Sequence, residues 1–181
     1  MGLMEVWVLR LSHRVMRDVR VTSHVALAAR AFGAKGMYFS GDFDENIIKT
    51  IGKVTSLWGG GFKVQYVENP LRFARSWKSS GEVVHLTMYG LPIRDVIGEI
   101  RRSTRRKLVV VGSRKVPREM YLIADWNVSV TNQPHSEVSA LAVFLHELFE
   151  GYELNLDFEN AKLKIIPQPR GKRIVKSMVN S

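Results

Sequence analysis

The chain reads as an α/β protein, a mostly parallel sheet with helices on both faces, and three observations predict it. Strand-like and helix-like segments alternate from one end to the other, which is the pattern of a doubly wound sheet. The run Leu108-Val109-Val110-Val111 is continuous and β-branched, as a parallel strand covered on both faces would be. That run and Asn127-Val128-Ser129-Val130 each end in a polar loop bearing Gly or Pro. Loops at the strand ends of one such sheet are where these folds keep their ligands.

The elements follow in order. Val6 to Leu11 is a buried-strand pattern, and the polar loop Ser12 to Arg20 comes after it, with four arginines between Arg10 and Arg20. Thr22 or Ser23 is a fitting cap for a helix that carries Val25, Ala26, Leu27, Ala28, Ala29, Ala31 and Phe32 before Gly33; so many alanines imply close packing. Gly36 to Ser40 is a short strand. Ile47, Ile51, Val54 and Trp58 fall at helical spacing, and Gly59-Gly60-Gly61 ends that helix. Phe62 to Val67 is a third strand. Pro70 to Ser80 is a short helix with Phe73 and Trp77 four apart, either stacking on bases or anchoring the helix to the sheet.

Val83 to Met88 is a strand ending at Tyr89-Gly90, and Ile93, Val96, Ile97 and Ile100 mark an amphipathic helix. That helix runs into Arg101 to Lys107, which reads equally as a solvated helix end favoured by the macrodipole or as a phosphate contact. The strand Leu108 to Val111 stops at Gly112-Ser113-Arg114-Lys115, and the strand Asn127 to Val130 stops at Thr131-Asn132-Gln133-Pro134-His135. An apolar helix from Ser136 to Glu150 follows, closed by Gly151. Ala161 to Ile166 alternates as an edge strand would.

Composition narrows the partners. The 181 residues make one domain with a sizeable core. A net charge of +10, from 27 Lys+Arg against 17 Asp+Glu, with pI near 10.1, points to a polyanion, most commonly nucleic acid. Six basic residues and no acid lie between Lys162 and the C-terminus. There is no cysteine, which excludes disulfides and thiolate metal sites. With no secretory leader pattern and no run of roughly 18 apolar residues, a soluble cytoplasmic protein is expected, without membrane contact. No G-x-G-x-x-G follows a strand and no G-x-x-x-x-G-K-[ST] occurs, which disfavours a dinucleotide or a nucleoside triphosphate.

Five segments stand together: R-L-x-H-R-x-x-R-D-x-R-x-T-x-H-V-x-L-x-A-R-A-F-G-A from Arg10, V-H-L-T-M-Y-G from Val84, G-x-x-K-V-P from Gly112, N-Q-P-H-S-E-V from Asn132 and I-P-Q-P-R-G-K from Ile166. Each is short, but their joint order resembles the SPOUT RNA methyltransferases, and within them the archaeal tRNA cytidine-56 2′-O-methyltransferase family. The resemblance implies a single SPOUT-like domain over 1–181. It would hold a C-terminal deep trefoil knot at about 83–151 and a basic extension at about 160–181. It further implies a homodimer that binds S-adenosyl-L-methionine and methylates a tRNA ribose, that of cytidine 56 in the T-loop. A basic RNA-binding module of the same fold without methyl transfer is the alternative.

Site residues are expected from the same resemblance. Leu86, Thr87, Gly112, Ser113, Arg114, Lys115 and Val116, with Val128, Ser129, Val130, Thr131, Asn132, Gln133, Pro134, His135 and Ser136, would hold the cofactor. Family members carry glutamate where Arg114 stands and glycine where Thr131 stands. Arg14, Arg17 and Arg20 would meet RNA phosphates. Arg30 matches an arginine that acts on the ribose hydroxyl, and His24 takes the place of the family's asparagine; both are expected to be catalytic. Six residues leave their side chains about 120° apart, so they meet one substrate only if His24 stands at the helix entrance. Read without the family, Arg30 is a partner for a buried carboxylate such as Asp18. Methyl transfer of this kind requires no metal, and His135 has no ligand-spaced companion. Glu137 reads equally as a first-turn helix charge and as a functional group.

Overall fold

The computed structural model describes residues 3–112 and 115–177. Strands β1 (Val6–His13), β2 (Gly36–Gly41), β3 (Lys63–Tyr66), β4 (Gly81–Pro92), β5 (Arg106–Val111) and β6 (Trp126–Ser129) form one sheet in the order β3-β2-β1-β5-β4-β6. Every neighbouring pair in it is parallel. The helices between them are α1 (Val19–Ala31), α2 (Glu45–Trp58), α3 (Pro70–Trp77), α4 (Ile93–Arg102), α5 (Arg118–Ile123) and α6 (Glu137–Phe149). Burial divides along the two faces, because side chains alternate across a strand. Val6, Val8, Val84, Val109 and Val111 pack with residues of α1, α2, α4 and α6. Leu9, Leu11, Val83, Leu108 and Val110 pack with Ala74 and Trp77 of α3 and Met120 and Ile123 of α5.

Local chemistry explains most boundaries. α2 is capped by Asp44, which accepts from the Asn46 N–H at 2.9 Å, and α3 by Asn69, which accepts from the Arg72 N–H at 2.9 Å. Ser136 caps α6 through the Val138 N–H at 3.2 Å, and the helix ends through Glu150 and Gly151, both left-handed. α1 departs from expectation. It starts at Val19, not at Thr22 or Ser23. Asp18 stands at its entrance but makes no side-chain cap bond, and Thr22 is buried inside the helix, its hydroxyl 2.8 Å from His13 Nδ1.

The C-terminal segment also differs. The expected edge strand is three residues long, β7 (Leu163–Ile165). It pairs antiparallel with β8 (Ile174–Lys176) in a separate ribbon and does not extend the main sheet. Main-chain bonds from Gly60 to Glu159 and from Lys162 to Leu57 fasten this segment to the end of α2. Four residues of β5 follow the basic run before the strand's far end, roughly 13 Å at about 3.3 Å per residue. At that near end Lys107 is fully buried, 2.7 Å from Glu82, Arg106 lies over Trp77 at 3.9 Å and Arg101 bonds Glu147. Lys107, Arg106 and Arg101 therefore carry internal contacts. Phe73 and Trp77 join Tyr38 and Trp7 in one aromatic cluster, which favours the anchoring alternative over base stacking. Among the described residues no helix is long and apolar enough to cross a membrane.

Candidate active site

A cavity of about 520 Å³ opens at the C-terminal ends of the central strands. This is the switch-point crevice of an open α/β sheet, where chain connections leave in opposite directions. Its wall comes from four places: Arg10 near the end of β1 with Arg14, Asp18 and Val21 beyond it; His85 to Tyr89 on β4; Val111, Gly112 and Val116 after β5, with Tyr121 of α5; and Val130, Pro134, His135, Glu137 and Ala140 from the β6–α6 passage. The volume is within the usual range for a small-molecule site, about 300–1,000 Å³.

Backbone geometry shapes this room. Leu86 and Leu91 of β4 both align with Val128 of β6, so residues 87 to 90 bulge out of the sheet. A Cβ on Gly90 would stand 2.5 Å from the main chain of Asn127 and Val128, so only glycine lets the bulge cross β6 so closely. Asn132 then ties the two loops together, its Nδ2 donating to the Met88 carbonyl at 2.7 Å. At the end of β5 a Cβ on Gly112 would meet Val116 Cγ2 at 2.2 Å, so a larger residue there would displace the loop that walls the cavity.

Charge inside it is concentrated on two ion pairs. Arg10 is buried at 1% exposure, and its Nη2 lies 3.1 Å from Glu137 Oε1; it also donates to the Leu11 carbonyl. Burial pushes the Arg10 pKa down, with the Glu137 and Asp18 carboxylates opposing. Arg14 holds Asp18 in a two-pronged pair, Nε to Oδ2 at 2.8 Å and Nη2 to Oδ1 at 3.1 Å. The hydrogen bond from Arg14 holds the Asp18 carboxyl below the ordinary carboxylate range. A depressed carboxylate pKa contributes stability that is present above the unfolded value, about 3.9, and is lost as pH falls through the folded value. Asp18→Asn should therefore be less stable than wild type near neutral pH, and in acid unfolding followed by circular dichroism the difference should shrink below about pH 4, so that the variant's stability curve is the flatter of the two there. Curves of equal slope would show that the pair contributes nothing.

His85 is fully buried between β5 and α5. Its Nδ1 is 2.9 Å from Asn127 Oδ1, its ring meets Tyr121 edge-on at 4.7 Å, and burial pushes its pKa down. Among the described residues no group of three or more His, Cys, Asp or Glu side chains is placed to hold a metal ion.

The expected cofactor positions divide. Leu86, Thr87, Gly112, Val116, Val130, Pro134 and His135 line the cavity. Val128 and Ser129 are buried within β6, while Lys115, Thr131, Asn132, Gln133 and Ser136 stand in the same loops without lining it. Ser113 and Arg114 lie outside the described residues. Arg14 lines the mouth, and Arg17 and Arg20 are exposed on the segment that follows it.

His24 and Arg30 are not brought to the cavity within the chain. The early start of α1 places His24 in its second turn, exposed, and not at the entrance. Arg30 is in the last turn, at the other end of a helix about 20 Å long by its 13 residues. There it donates to the Gly59 carbonyl at 2.6 Å and covers the Phe158 ring at 4.7 Å. Asp18, the carboxylate it was to pair with, is taken by Arg14. Among the cavity residues missed in the sequence are Arg10, Asp18, His85 and Tyr121. Arg10 and His85 did leave a signal: each is a polar residue inside an otherwise apolar strand pattern, V-L-R-L and V-V-H-L.

The model of the tRNA ribose 2′-O-methyltransferase family, aTrm56, matches residues 58–175. A Methanopyrus kandleri protein named tRNA (cytidine(56)-2′-O)-methyltransferase is 54% identical over 168 residues, 92% of this chain and 94% of its own length. Among solved structures, the TrmH/SpoU tRNA modifying enzyme of A. aeolicus superposes with a TM-score of 0.61 at 17% identity, over 84% of this chain and 78% of that one. The SpoU methyltransferase AviRb of Streptomyces viridochromogenes, solved with AdoMet, gives 0.57 at 16% identity, over 83% and 58%. The structural likenesses are likenesses of fold; at 54% identity over nearly all of both chains, and with the family model matching 118 consecutive positions from 58 to 175, the chain belongs to the aTrm56 family of tRNA ribose 2′-O-methyltransferases.

Proposed function

We propose that this chain transfers a methyl group from S-adenosyl-L-methionine to the 2′-oxygen of a tRNA ribose, that of cytidine 56 in the T-loop. The observation that carries the reading is the cavity at the strand ends, built from the loops in which the family resemblance is densest. A module that only bound RNA would have no use for a cavity of this size behind its basic mouth. When bound, the cofactor supplies a methyl group already activated by the sulfonium. The chain then has to align the ribose and take one proton. Arg10, buried and fixed by Glu137 and Leu11, orients the ribose and its phosphate. Of the two cavity carboxylates, Asp18 has both oxygens held by Arg14 while Glu137 has only Oε1 held by Arg10, so Glu137 is assigned to receive the hydroxyl proton. Arg14, Arg17 and Arg20 take the phosphates at the mouth.

The reading includes one domain over 1–181, a cytoplasmic location and a trefoil knot at about 83–151, supported by the crossing of the residue 87–90 bulge with β6 and the Asn132 tie. It also includes a homodimer: α1 and α6 pack on each other and leave Leu27 and Val143 exposed, and apolar residues of that kind suit a second copy. Labelled cofactor and an unmodified tRNA transcript, followed by mapping of the modified ribose, test the reading. Label at cytidine 56 is expected; no label, or label at another nucleotide, would overturn it.

Binding of tRNA should weaken log-linearly with salt, since each phosphate neutralised releases condensed counterions. Arg17→Ala and Arg20→Ala should each reduce the slope by about 0.7–0.9. Slopes unchanged in both variants would move the RNA path away from this segment.

A further inference from the structure

We propose that His85 is a neutral hydrogen-bond acceptor in the cavity wall that receives an N–H or O–H of the cofactor's adenosyl moiety; the inference rests on the cofactor reading above. The protonation pattern follows from a chain of bonds. Asn127 Nδ2 is 2.9 Å from the Tyr121 main-chain carbonyl, which can only accept. The amide is thereby oriented with Oδ1 toward the imidazole, at 2.9 Å from Nδ1. An amide oxygen cannot donate, so Nδ1 carries the proton. In the neutral ring Nε2 is then a bare lone pair.

That lone pair has no partner among the described residues, although the atom is buried. Buried polar atoms are ordinarily satisfied, and leaving one without a bond is costly. Among the cavity-lining residues two such atoms occur, Arg10 Nε and His85 Nε2. Arg10 already has an acid and a carbonyl to hold, whereas His85 Nε2 has nothing. The Tyr121 ring set edge-on at 4.7 Å fixes the plane of the imidazole, and Tyr121 OH lies 3.3 Å from Thr87 Oγ1. The acceptor is thus held by two partners, Asn127 and Tyr121, before any ligand arrives. Its place on β4 assigns it to the cofactor, because His85 directly precedes Leu86 and Thr87, which line the same cavity and belong to the cofactor positions of the reading above. The exocyclic amine of adenine and the two ribose hydroxyls are the donors that fit.

Nitrogen NMR on histidine-labelled wild type tests this without a variant that must fold; His85→Phe, which keeps a flat ring against Tyr121, assigns the resonance by its loss. In the free protein Nε2 should show the shift of an unprotonated nitrogen, and it should move toward the hydrogen-bonded range when S-adenosylhomocysteine is added. By calorimetry His85→Phe should bind S-adenosylhomocysteine about five- to tenfold more weakly. Among analogues lacking the adenine amine, the 2′-hydroxyl or the 3′-hydroxyl, one should bind wild type and His85→Phe equally, and that one names the donor. A resonance unmoved in protein that binds S-adenosylhomocysteine, or an equal loss across all three analogues, would overturn the role of His85 alone. Wild type that takes up no S-adenosylhomocysteine would overturn both this inference and the cofactor reading.

Discussion

Arg10→Met is expected to lower kcat/KM for tRNA methylation by a factor of about 100 to 1,000, the usual consequence of removing one preorganised donor from a water-poor site. Methionine keeps much of the apolar stem that fills β1, so packing changes little, but the guanidinium that faces Glu137 at 3.1 Å is gone. Uptake of S-adenosylhomocysteine should stay within a few-fold of wild type, because the proposed contacts of Arg10 are to the ribose and its phosphate. The variant leaves Glu137 without its cation partner. Arg10→Met/Glu137→Gln, which removes both charges, separates chemistry from folding: its melting temperature should recover relative to Arg10→Met while its activity does not. Turnover within twofold of wild type in folded Arg10→Met would remove the residue from the reaction.

The sheet was legible because its central strands carry their own signature. Continuous β-branched runs such as Leu108 to Val111 are possible only where both faces are covered, and both faces are covered here. What escaped was short or unperiodic. α5 has six residues between Pro117 and Ala124, too few to show a helical period, and β8 has three in a basic segment. The ligand loops were legible as polar ends of apolar strands, and about half of their expected positions line the cavity. The charges that line the cavity were not. A match of pattern drew attention to Arg30 in a helix, while Arg10, a single cation inside a buried strand, passed as part of an arginine-rich surface. Burial is a property of the strand a residue sits in, and the sequence pattern V-L-R-L already implied it. The basic run Arg101 to Lys107 read equally as a solvated helix end and as a phosphate contact, and its pattern did not show that Lys107 is fully buried against Glu82 at the end of the sheet away from the cavity.

Arg30 is the position at which a structural and a catalytic role give opposite results. Its guanidinium donates to the Gly59 carbonyl at 2.6 Å and lies 4.7 Å from the Phe158 ring centre. It thereby joins the end of α1 to the glycine turn after α2 and to the C-terminal segment. A hydrogen bond to a charged donor is worth about 1.5–3 kcal/mol and a cation–π contact adds about 0.5–1 kcal/mol at an exposed site. Arg30→Ala should therefore cost about 2–4 kcal/mol, which lowers the melting temperature by roughly 4–16 °C in a chain of this size. Measured below that transition, kcat and S-adenosylhomocysteine affinity should remain within about threefold of wild type if Arg30 acts only within its own chain, whose cavity it does not line. Phe158→Ala should act through the same contact, so the double variant should lose less stability than the two single losses added together. His24→Asn, on the exposed side of α1, should be silent in both stability and turnover. An unchanged melting temperature with a hundredfold loss of kcat in Arg30→Ala would return the residue to the reaction and require a second subunit to bring it to the cavity.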